Sequence, residues 1–214
     1  MSTKDPQTLK FQYLQKCRQY IKREGLENLL QFLESSDFFE APASTVFHSN
    51  YPGGLCQHSL NVFESALSIY NSTLRKFEDL GQTTYQNGSL SEESIAIATL
   101  FHDISKIGLY HKKEKWRKDE NNQWQSYIGY EAKDPMPLPH ATKSIVMIQQ
   151  YMKLTGHEML AIEYHHSFAD VSRSLDSTSK YAYTEALKIS PLTLLVSQAD
   201  MIASFLMEEI VEQK

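Results

Sequence analysis

Cysteine is scarce in this sequence of 214 residues: only Cys17 and Cys56 occur, far apart and outside any CxxC pair. Their isolation excludes a disulfide framework and a zinc ribbon, and it favours a reducing compartment. Long apolar runs are also lacking, since no stretch approaches the roughly 20 residues that span a bilayer. The polar N-terminus, MSTKDPQTLK, has no apolar segment typical of a secretion signal. We therefore expect a cytoplasmic protein with no membrane partner.

Excess positive charge is lacking too, because the 26 Asp and Glu outnumber the 21 Lys and Arg and the net charge is −5. This balance excludes the overall basic field of a strong nucleic-acid binder, although a local basic patch stays compatible with it. We find neither internal repeats nor low-complexity tracts. With 41% hydrophobic residues, the chain has ample material for a sizeable core. We expect one domain over residues 1–214.

Apolar residues recur at helical spacing along most of the chain. The pattern predicts helices over residues 8–34 with a weak point at Gly25, over 55–77, from an N-cap at Ser91 through His102 and Asp103, from His140 through Met152, over 157–166, and from Pro191 to Leu206. Residues 169–184 are rich in Ser and Asp and predict a loop. The sequence therefore predicts an all-α fold.

One segment departs from the helical pattern. Residues 110–132 alternate aromatic and polar side chains and predict a small β-hairpin. The segment contains a basic cluster of His111, Lys112, Lys113, Lys115, Arg117 and Lys118. Two interpretations are open: the cluster guides substrate phosphates, with Trp116 and Trp124 as stacking surfaces, or the hairpin is solvated and its tryptophans pack on the domain. The intervening Glu114 and the overall acidity favour the second interpretation.

Four metal-capable side chains interrupt otherwise apolar segments: His58, His102, Asp103 and Asp200. A buried carboxylate without a partner is costly, so Asp103 and Asp200 need cations or hydrogen-bond donors. Taken singly, each of the four residues fits an ordinary hydrogen-bonded core position equally well. Taken together, two imidazoles and two carboxylates can surround one divalent ion. Mixed nitrogen and oxygen ligands suit Mn, Fe, Co, Ni or Zn rather than Ca or Mg.

The order of these residues resembles that of the HD superfamily of metal-dependent phosphohydrolases. QHSLNV is similar to the family's first-histidine helix, FHDISKIG to its HD motif and SQADMI to its terminal-aspartate helix. YPGGLCQHSLNV is especially like the HD domains of 3′–5′ exoribonucleases and of phage-type or bacterial HD hydrolases. The likeness covers residues 45–210 as an HD core and leaves 1–44 as an N-terminal helical region. It implies an HD-domain helical bundle in which the hairpin around 110–132 is an insertion.

The resemblance also implies the composition of the site. His140 and His165 follow the order of the extra histidines in two-metal members, in which Asp103 would bridge the two ions. Lys106 would point its ammonium group at a substrate phosphate, and Asp103 would accept a proton from the attacking water. Three further residues are expected to line the substrate pocket, because they lie in the loop before His58 or directly after His165: His48, Tyr51 and His166.

Together these residues predict a phosphohydrolase that uses water activated by one or two divalent ions. Its expected substrate is a phosphorylated small molecule, a nucleotide or a short nucleic acid. HHSFADVSRS lacks the HHExxDGxGYP continuation of cyclic-di-GMP phosphodiesterases, which argues against that substrate. Two other functions stay open: a non-catalytic, metal-bound module for ligand sensing or interaction and, less favoured, a di-iron oxygenase of the HD type.

Overall fold

Helices account for most of the computed structural model, which describes residues 5–85, 90–166 and 177–211. The α-helices in these ranges are α1 (Pro6–Tyr20), α2 (Leu26–Ser35), α3 (Gly54–Ile69), α4 (Arg75–Asp79), α5 (Glu92–Leu100), α6 (His140–Gln149), α7 (Gly156–Glu163), α8 (Ser177–Ile189) and α9 (Pro191–Ile202). Single π-helical segments extend α3 over Tyr70–Leu74 and α9 over Ala203–Met207. The fold is all-α with one β-hairpin, as the sequence predicts.

Helix α3 lies at the centre of the bundle and packs against α1, α5 and α9. Its Leu55, Val62 and Phe63 are fully buried. Helix α5 is buried on every side from Ile95 to Leu100, as expected for a helix that is apolar all round. These two central helices lead directly to the polar residues described below.

Two local signals in the sequence are confirmed. Gly25 interrupts the first predicted helix with a φ of +92°, and a Cβ there would lie 1.8 Å from the Tyr151 carbonyl oxygen. Only glycine tolerates both the left-handed backbone and this close approach. Ser91 is the N-cap of α5, since its Oγ accepts a hydrogen bond of 3.0 Å from the Ser94 amide.

Three helix predictions need correction. The helix predicted from His140 through Met152 ends at Gln149. Helix α5 ends at Leu100, so His102 and Asp103 lie in the turn after it rather than on it. The helix predicted over 157–166 likewise ends at Glu163. Where the sequence predicts a loop over 169–184, residues from Ser177 onward are helical in α8, because good helix formers such as Ala, Leu, Glu and Lys outweigh the serines. The earlier part of that prediction, 169–176, lies outside the described residues.

The predicted hairpin is present. Strand β1 (Tyr110–Lys118) pairs with β2 (Trp124–Ala132) in antiparallel register, from Tyr110 opposite Ala132 to Lys118 opposite Trp124. Its base packs on the helices, where Tyr130 is buried. The prediction that the tryptophans pack on the domain is wrong, because Trp116 is 58% exposed and Trp124 is 64% exposed.

None of the helices in the described ranges is by itself both long and apolar enough to cross a bilayer. Only Lys180–Ile189 together with Pro191–Met207 reaches the required length and composition, and these two segments are bent by 109°.

Candidate metal centre

The structure brings the six sequence-predicted metal ligands into one cluster. His58 comes from α3, His102 and Asp103 from the turn after α5, His140 from the first position of α6, His165 from the turn after α7, and Asp200 from the last turn of α9. All of them are buried except His140, which is half-buried. Five separate segments of the bundle therefore converge on one point.

The first group of ligand atoms surrounds a small space between α3 and α9. His58 Nε2 lies 3.2 Å from His102 Nε2 and 3.1 Å from Asp200 Oδ1. Asp103 Oδ2 lies 3.6 Å from His58 Nε2 and 3.4 Å from His102 Nε2. Two nitrogens and two carboxylate oxygens thus face one another.

A second group lies on the other side of Asp103. Asp103 Oδ1 lies 3.6 Å from His165 Nε2, which in turn lies 3.3 Å from His140 Nε2. One ligand atom each from Asp103, His140, His165 and His166 fall within 4.8 Å of one another. The two oxygens of Asp103 therefore face two different sets of imidazoles.

Backbone carbonyls at two helix ends orient two of these histidines. His102 Nδ1 lies 2.7 Å from the Thr99 carbonyl oxygen, and His165 Nδ1 lies 2.6 Å from the Ile162 carbonyl oxygen. Carbonyls in the last turn of a helix have no partner within the helix, so each ring donates its Nδ1 proton to one of them. This leaves Nε2 of both rings unprotonated and directed into the cluster.

Glu208 orients His58 in the same way, although sequence reasoning missed it. Its side chain is fully buried, and Oε1 lies 2.9 Å from His58 Nδ1. The other oxygen, Oε2, lies 2.7 Å from His48 Nδ1 and accepts a hydrogen bond of 2.8 Å from Ser49 Oγ. A carboxylate behind a metal-binding histidine fixes the tautomer and raises the basicity of the ligand nitrogen. The spacing of eight residues from Asp200 is the one signal for it, since i and i+8 share a helix face.

Strong electrostatic coupling accompanies this burial. Burial disfavours the imidazolium of His58, but Glu208 and Asp200 outweigh it and raise the pKa of His58 to about 10. Burial and the neighbouring imidazoles of His166 and His102 lower the pKa of His165 to about 3, although Asp103 opposes the shift. Burial opposes ionisation of Asp103, yet Lys106 and His102 hold the pKa of that carboxyl well below its usual range. The cluster therefore holds ionised carboxylates and a neutral His165.

The donor set fits a divalent cation. His102 Nε2 is an acceptor directed at His58 Nε2. Both carboxylate oxygens of Asp103 and Oδ1 of Asp200 are buried without a well-aligned hydrogen bond. So many acceptors in a buried space need a positive charge between them, carried by protons or by a metal ion. Two ligand atoms each about 2.1 Å from one ion lie about 3.0–3.4 Å apart at octahedral or tetrahedral angles. The spacing of the closest nitrogens, 3.2 and 3.3 Å, falls in that range.

Comparison with protein-family models gives one decisive finding. The model of the HD domain matches residues 55–204, which is well over half of the chain. The chain belongs to the HD domain family. Searches of curated proteins and of solved structures return no match. As an HD domain protein, the chain is a member of a superfamily of metal-dependent phosphohydrolases, and its histidine and aspartate clusters suit a divalent metal.

The remaining sequence-predicted residues of this HD domain lie at the edge of the cluster. Lys106 is buried in a 3-10 turn (Ile104–Lys106), and its Nζ lies 2.7 Å from Asp103 Oδ2. The ring centroid of His48 lies 4.9 Å from that of His58. Tyr51 is half-buried, with its hydroxyl 3.5 Å from Ser49 Oγ. The side chain of His166 is 31% exposed, and its Nδ1 lies 3.2 Å from Asp200 Oδ2.

Glu208→Gln tests the role of Glu208 behind His58. The amide keeps the size of the side chain but removes the charge, and its NH₂ must face either Asn61 Nδ2 or Ser49 and His48. We expect metal affinity to fall about tenfold, as is common for such outer partners. A competition titration with a chromogenic chelator measures the change. Glu209→Gln, at the exposed neighbouring position, is the matched control, and equal affinities of the two variants would contradict the role.

Proposed function

We propose that this HD domain protein hydrolyses a phosphoester of a nucleotide or short oligonucleotide, with two divalent transition-metal ions as cofactors. The observation that supports this most directly is the position of Asp103. One of its oxygens faces His58 and His102 while the other faces His165, at distances of 3.4–3.6 Å. A carboxylate with two separate ligand groups is suited to bridge two ions, as in two-metal hydrolases.

The proposed ligand sets follow from this geometry. His58, His102, Asp103 and Asp200 would hold one ion, and Asp103, His140 and His165 would hold the other. Nitrogen and oxygen donors together suit Mn, Fe, Co, Ni or Zn. When bound, such ions lower the pKa of a coordinated water toward neutrality and neutralise charge on a phosphoryl oxygen.

The side chains around the ligands have proposed roles of their own. Lys106 keeps Asp103 ionised and oriented, because burial lowers the pKa of its ammonium group but Asp103 outweighs burial and raises it. His166 would face the substrate, since its ring is the most exposed of those in contact with Asp200. Burial disfavours its charged form, but Asp200 raises the pKa of His166 and helps it to hold a proton. That proton is available to a leaving oxygen.

The test combines metal content with turnover. Protein purified without chelator is expected to contain two transition-metal ions per chain. Inductively coupled plasma mass spectrometry measures this content. With Mn, Co or Ni it should hydrolyse members of a panel of nucleotides, small phosphodiesters and oligonucleotides, and a chelator should abolish the reaction. Two bound irons with oxygen consumption and no hydrolysis would instead indicate an oxygenase. A metal-bound protein inert toward the whole panel would indicate a non-catalytic module.

His140→Ala separates the two ions within the same test. Among the candidate ligand groups of the described residues, His140 belongs to the second, with Nε2 at 3.3 Å from His165 Nε2. We expect the metal content to fall from two ions to one while the first ion stays bound. His157→Ala is the matched control, because His157 is a histidine near the start of α7 that belongs to none of the candidate ligand groups formed by the described residues.

A further inference from the structure

The outer half of the hairpin presents an apolar surface that no described residue covers. In the register of the two strands, Trp116 lies opposite Ser126, with Ile128 and Trp124 on either side of that position. Side chains two residues apart on a strand share a face, so these three lie together. They are 58%, 54% and 64% exposed. Large apolar side chains gathered on one exposed face are typical of a binding surface.

The charge of the same hairpin is opposite to that of the rest of the chain. The hairpin, residues 110–132, contains five Lys and Arg and four Asp and Glu, a charge of +1, so the other residues sum to −6 within a total of −5. All five of its cations lie on strand β1, which contains one of the four acidic residues. Lys112 and Lys118 share the face of Trp116 with one acidic residue, Glu114, and Lys118 Nζ lies 5.6 Å from the ring centroid of Trp124. An anionic polymer is repelled by most of this protein and attracted to strand β1.

The base of the hairpin adjoins the metal centre. Tyr110, the first residue of β1, follows Leu109, whose amide donates a hydrogen bond of 3.1 Å to the Lys106 carbonyl oxygen. Strand β1 is nine residues long and therefore extends about 30 Å from that point. A flexible anionic chain with one end at the cluster can follow the strand outward.

We propose that the outer hairpin binds single-stranded nucleic acid, with bases stacked on Trp116 and Trp124 and phosphates contacted by Lys112 and Lys118. Aromatic surfaces interleaved with cations suit a single strand, because every base has a stacking face. Addition of a protein strand to the hairpin edge is less favoured, since lysines along an edge oppose such pairing. This assignment rests on the proposed phosphohydrolase function for its place in catalysis, but the binding itself does not require turnover.

Intrinsic fluorescence tests the binding directly, because the chain has only two tryptophans and both are in the hairpin. The full chain is titrated in EDTA with single-stranded DNA and RNA dodecamers and with a mononucleotide. We expect quenching by one or both dodecamers but not by the mononucleotide. Affinity should fall about tenfold in Trp116→Ala and in Trp124→Ala, and Trp116→Phe should restore most of it. The double variant Lys112→Ala, Lys118→Ala should have a shallower slope of log binding constant against log salt concentration, by the equivalent of about two phosphate contacts.

Matched controls use exposed residues elsewhere on the chain. Phe11→Ala removes an aromatic side chain that is 68% exposed on α1, and Lys76→Ala removes an exposed lysine. Both should bind the dodecamers like the unaltered protein. Absence of quenching at low salt, or equal affinities of Trp116→Ala and Phe11→Ala, would overturn the proposal and favour a protein partner for this face.

The outcomes also separate binding from catalysis. Protein that cleaves a small phosphodiester but does not bind the dodecamers retains the proposed function and refutes the hairpin surface. Protein that binds the dodecamers through the tryptophans but cleaves nothing supports the surface and refutes the phosphohydrolase. If both hold, the preference for dodecamer over small diester in kcat/KM should fall about tenfold in Trp124→Ala.

Discussion

Asp103→Asn is expected to lower hydrolysis by about a hundredfold to a thousandfold and to reduce the metal content below two ions per chain. Asparagine keeps the size of the side chain but replaces one oxygen with an NH₂ group and removes the charge. Whichever way the amide turns, NH₂ hydrogens face either the imidazoles of His58 and His102 or that of His165. One ligand group therefore loses its shared anionic oxygen, and loss of a single group that stabilises charge in the transition state typically costs 10²–10³ in rate.

The matched control is Asp134→Asn. Asp134 Oδ1 lies 2.7 Å from Lys143 Nζ, the same distance as between Asp103 Oδ2 and Lys106 Nζ. It belongs to none of the candidate ligand groups in the described part of the chain. We expect Asp134→Asn to retain activity within a few-fold. Circular dichroism and thermal unfolding of both variants check the fold. Activity of Asp103→Asn within tenfold of the unaltered protein would contradict the bridging position.

Four residues of the ligand cluster were predictable because burial of polar groups is costly, whereas His140 and His165 were expected only from the resemblance to the HD superfamily. His58 and Asp200 stand in segments whose other residues belong to a core, and the structure buries both side chains. The fold class and the hairpin followed from periodicity in the same way, since patterns of 3.6 and 2 residues are visible in the sequence itself. What these patterns establish is which side chains face inward, not which atoms meet.

The path of the chain at the helix ends was not predictable from periodicity. The apolar run that defines α5 continues through Phe101 and Ile104, yet the helix ends at Leu100. There the His102 ring bonds to the Thr99 carbonyl oxygen. His165 repeats this bond to the Ile162 carbonyl oxygen two residues after the end of α7. Both histidines are aimed by contacts between side chain and backbone that a hydrophobic pattern does not encode.

Contacts between distant segments were equally hidden. Glu208 bonds to His58 across 150 residues, and the tail beyond it is fixed by mutual hydrogen bonds between Asn50 and Val211 of 2.7 and 2.9 Å. Burial in the hairpin was mispredicted in the other direction, because Trp116 and Trp124 were expected to pack on the domain but are exposed. An alternating strand pattern predicts a hairpin without saying which face has a neighbour.

Glu158 connects the starts of α5 and α7, the two helices that lead into the ligand-bearing turns. It lies near the N-terminus of α7, where its Oε2 accepts a hydrogen bond of 2.8 Å from the Thr155 amide. Its Oε1 accepts one of 2.8 Å from Ser94 Oγ on α5. Arg23, between α1 and α2, donates to both oxygens at 2.5 and 2.9 Å. The turns that aim His102 and His165 thus depend on helices held together by one fully buried carboxylate.

Glu158→Gln is therefore expected to lower the free energy of unfolding by about 3 kcal/mol. The amide presents NH₂ to donors whose hydrogen bonds the carboxylate accepted. The Arg23 guanidinium, in a largely buried position, loses its nearest counter-charge and keeps only Glu93 Oε2 at 3.5 Å among the described residues. Urea unfolding at pH 7 measures the loss. The control, Glu27→Gln, breaks another Glu–Arg pair, but Arg18 and Glu27 are 49% and 65% exposed. Such exposed pairs contribute about 0–1 kcal/mol, so equal losses in both variants would contradict the structural role of Glu158.

The difference in unfolding free energy between the unaltered protein and Glu158→Gln should also depend on pH, which gives an independent check. Burial disfavours ionisation of Glu158, but hydrogen bonds from Arg23 and the Thr155 amide outweigh it and lower the pKa of Glu158 in the folded state. A carboxyl with a lowered pKa stabilises the fold fully above its unfolded value, near 4.3, and loses that contribution as the pH falls through the folded value. The stability gap between the unaltered protein and Glu158→Gln should be constant from pH 6 to 8 and shrink below about pH 4. A gap that widens in acid would mean that the folded state binds the proton more tightly than the unfolded state, which the contacts of Glu158 with Arg23 and the Thr155 amide oppose.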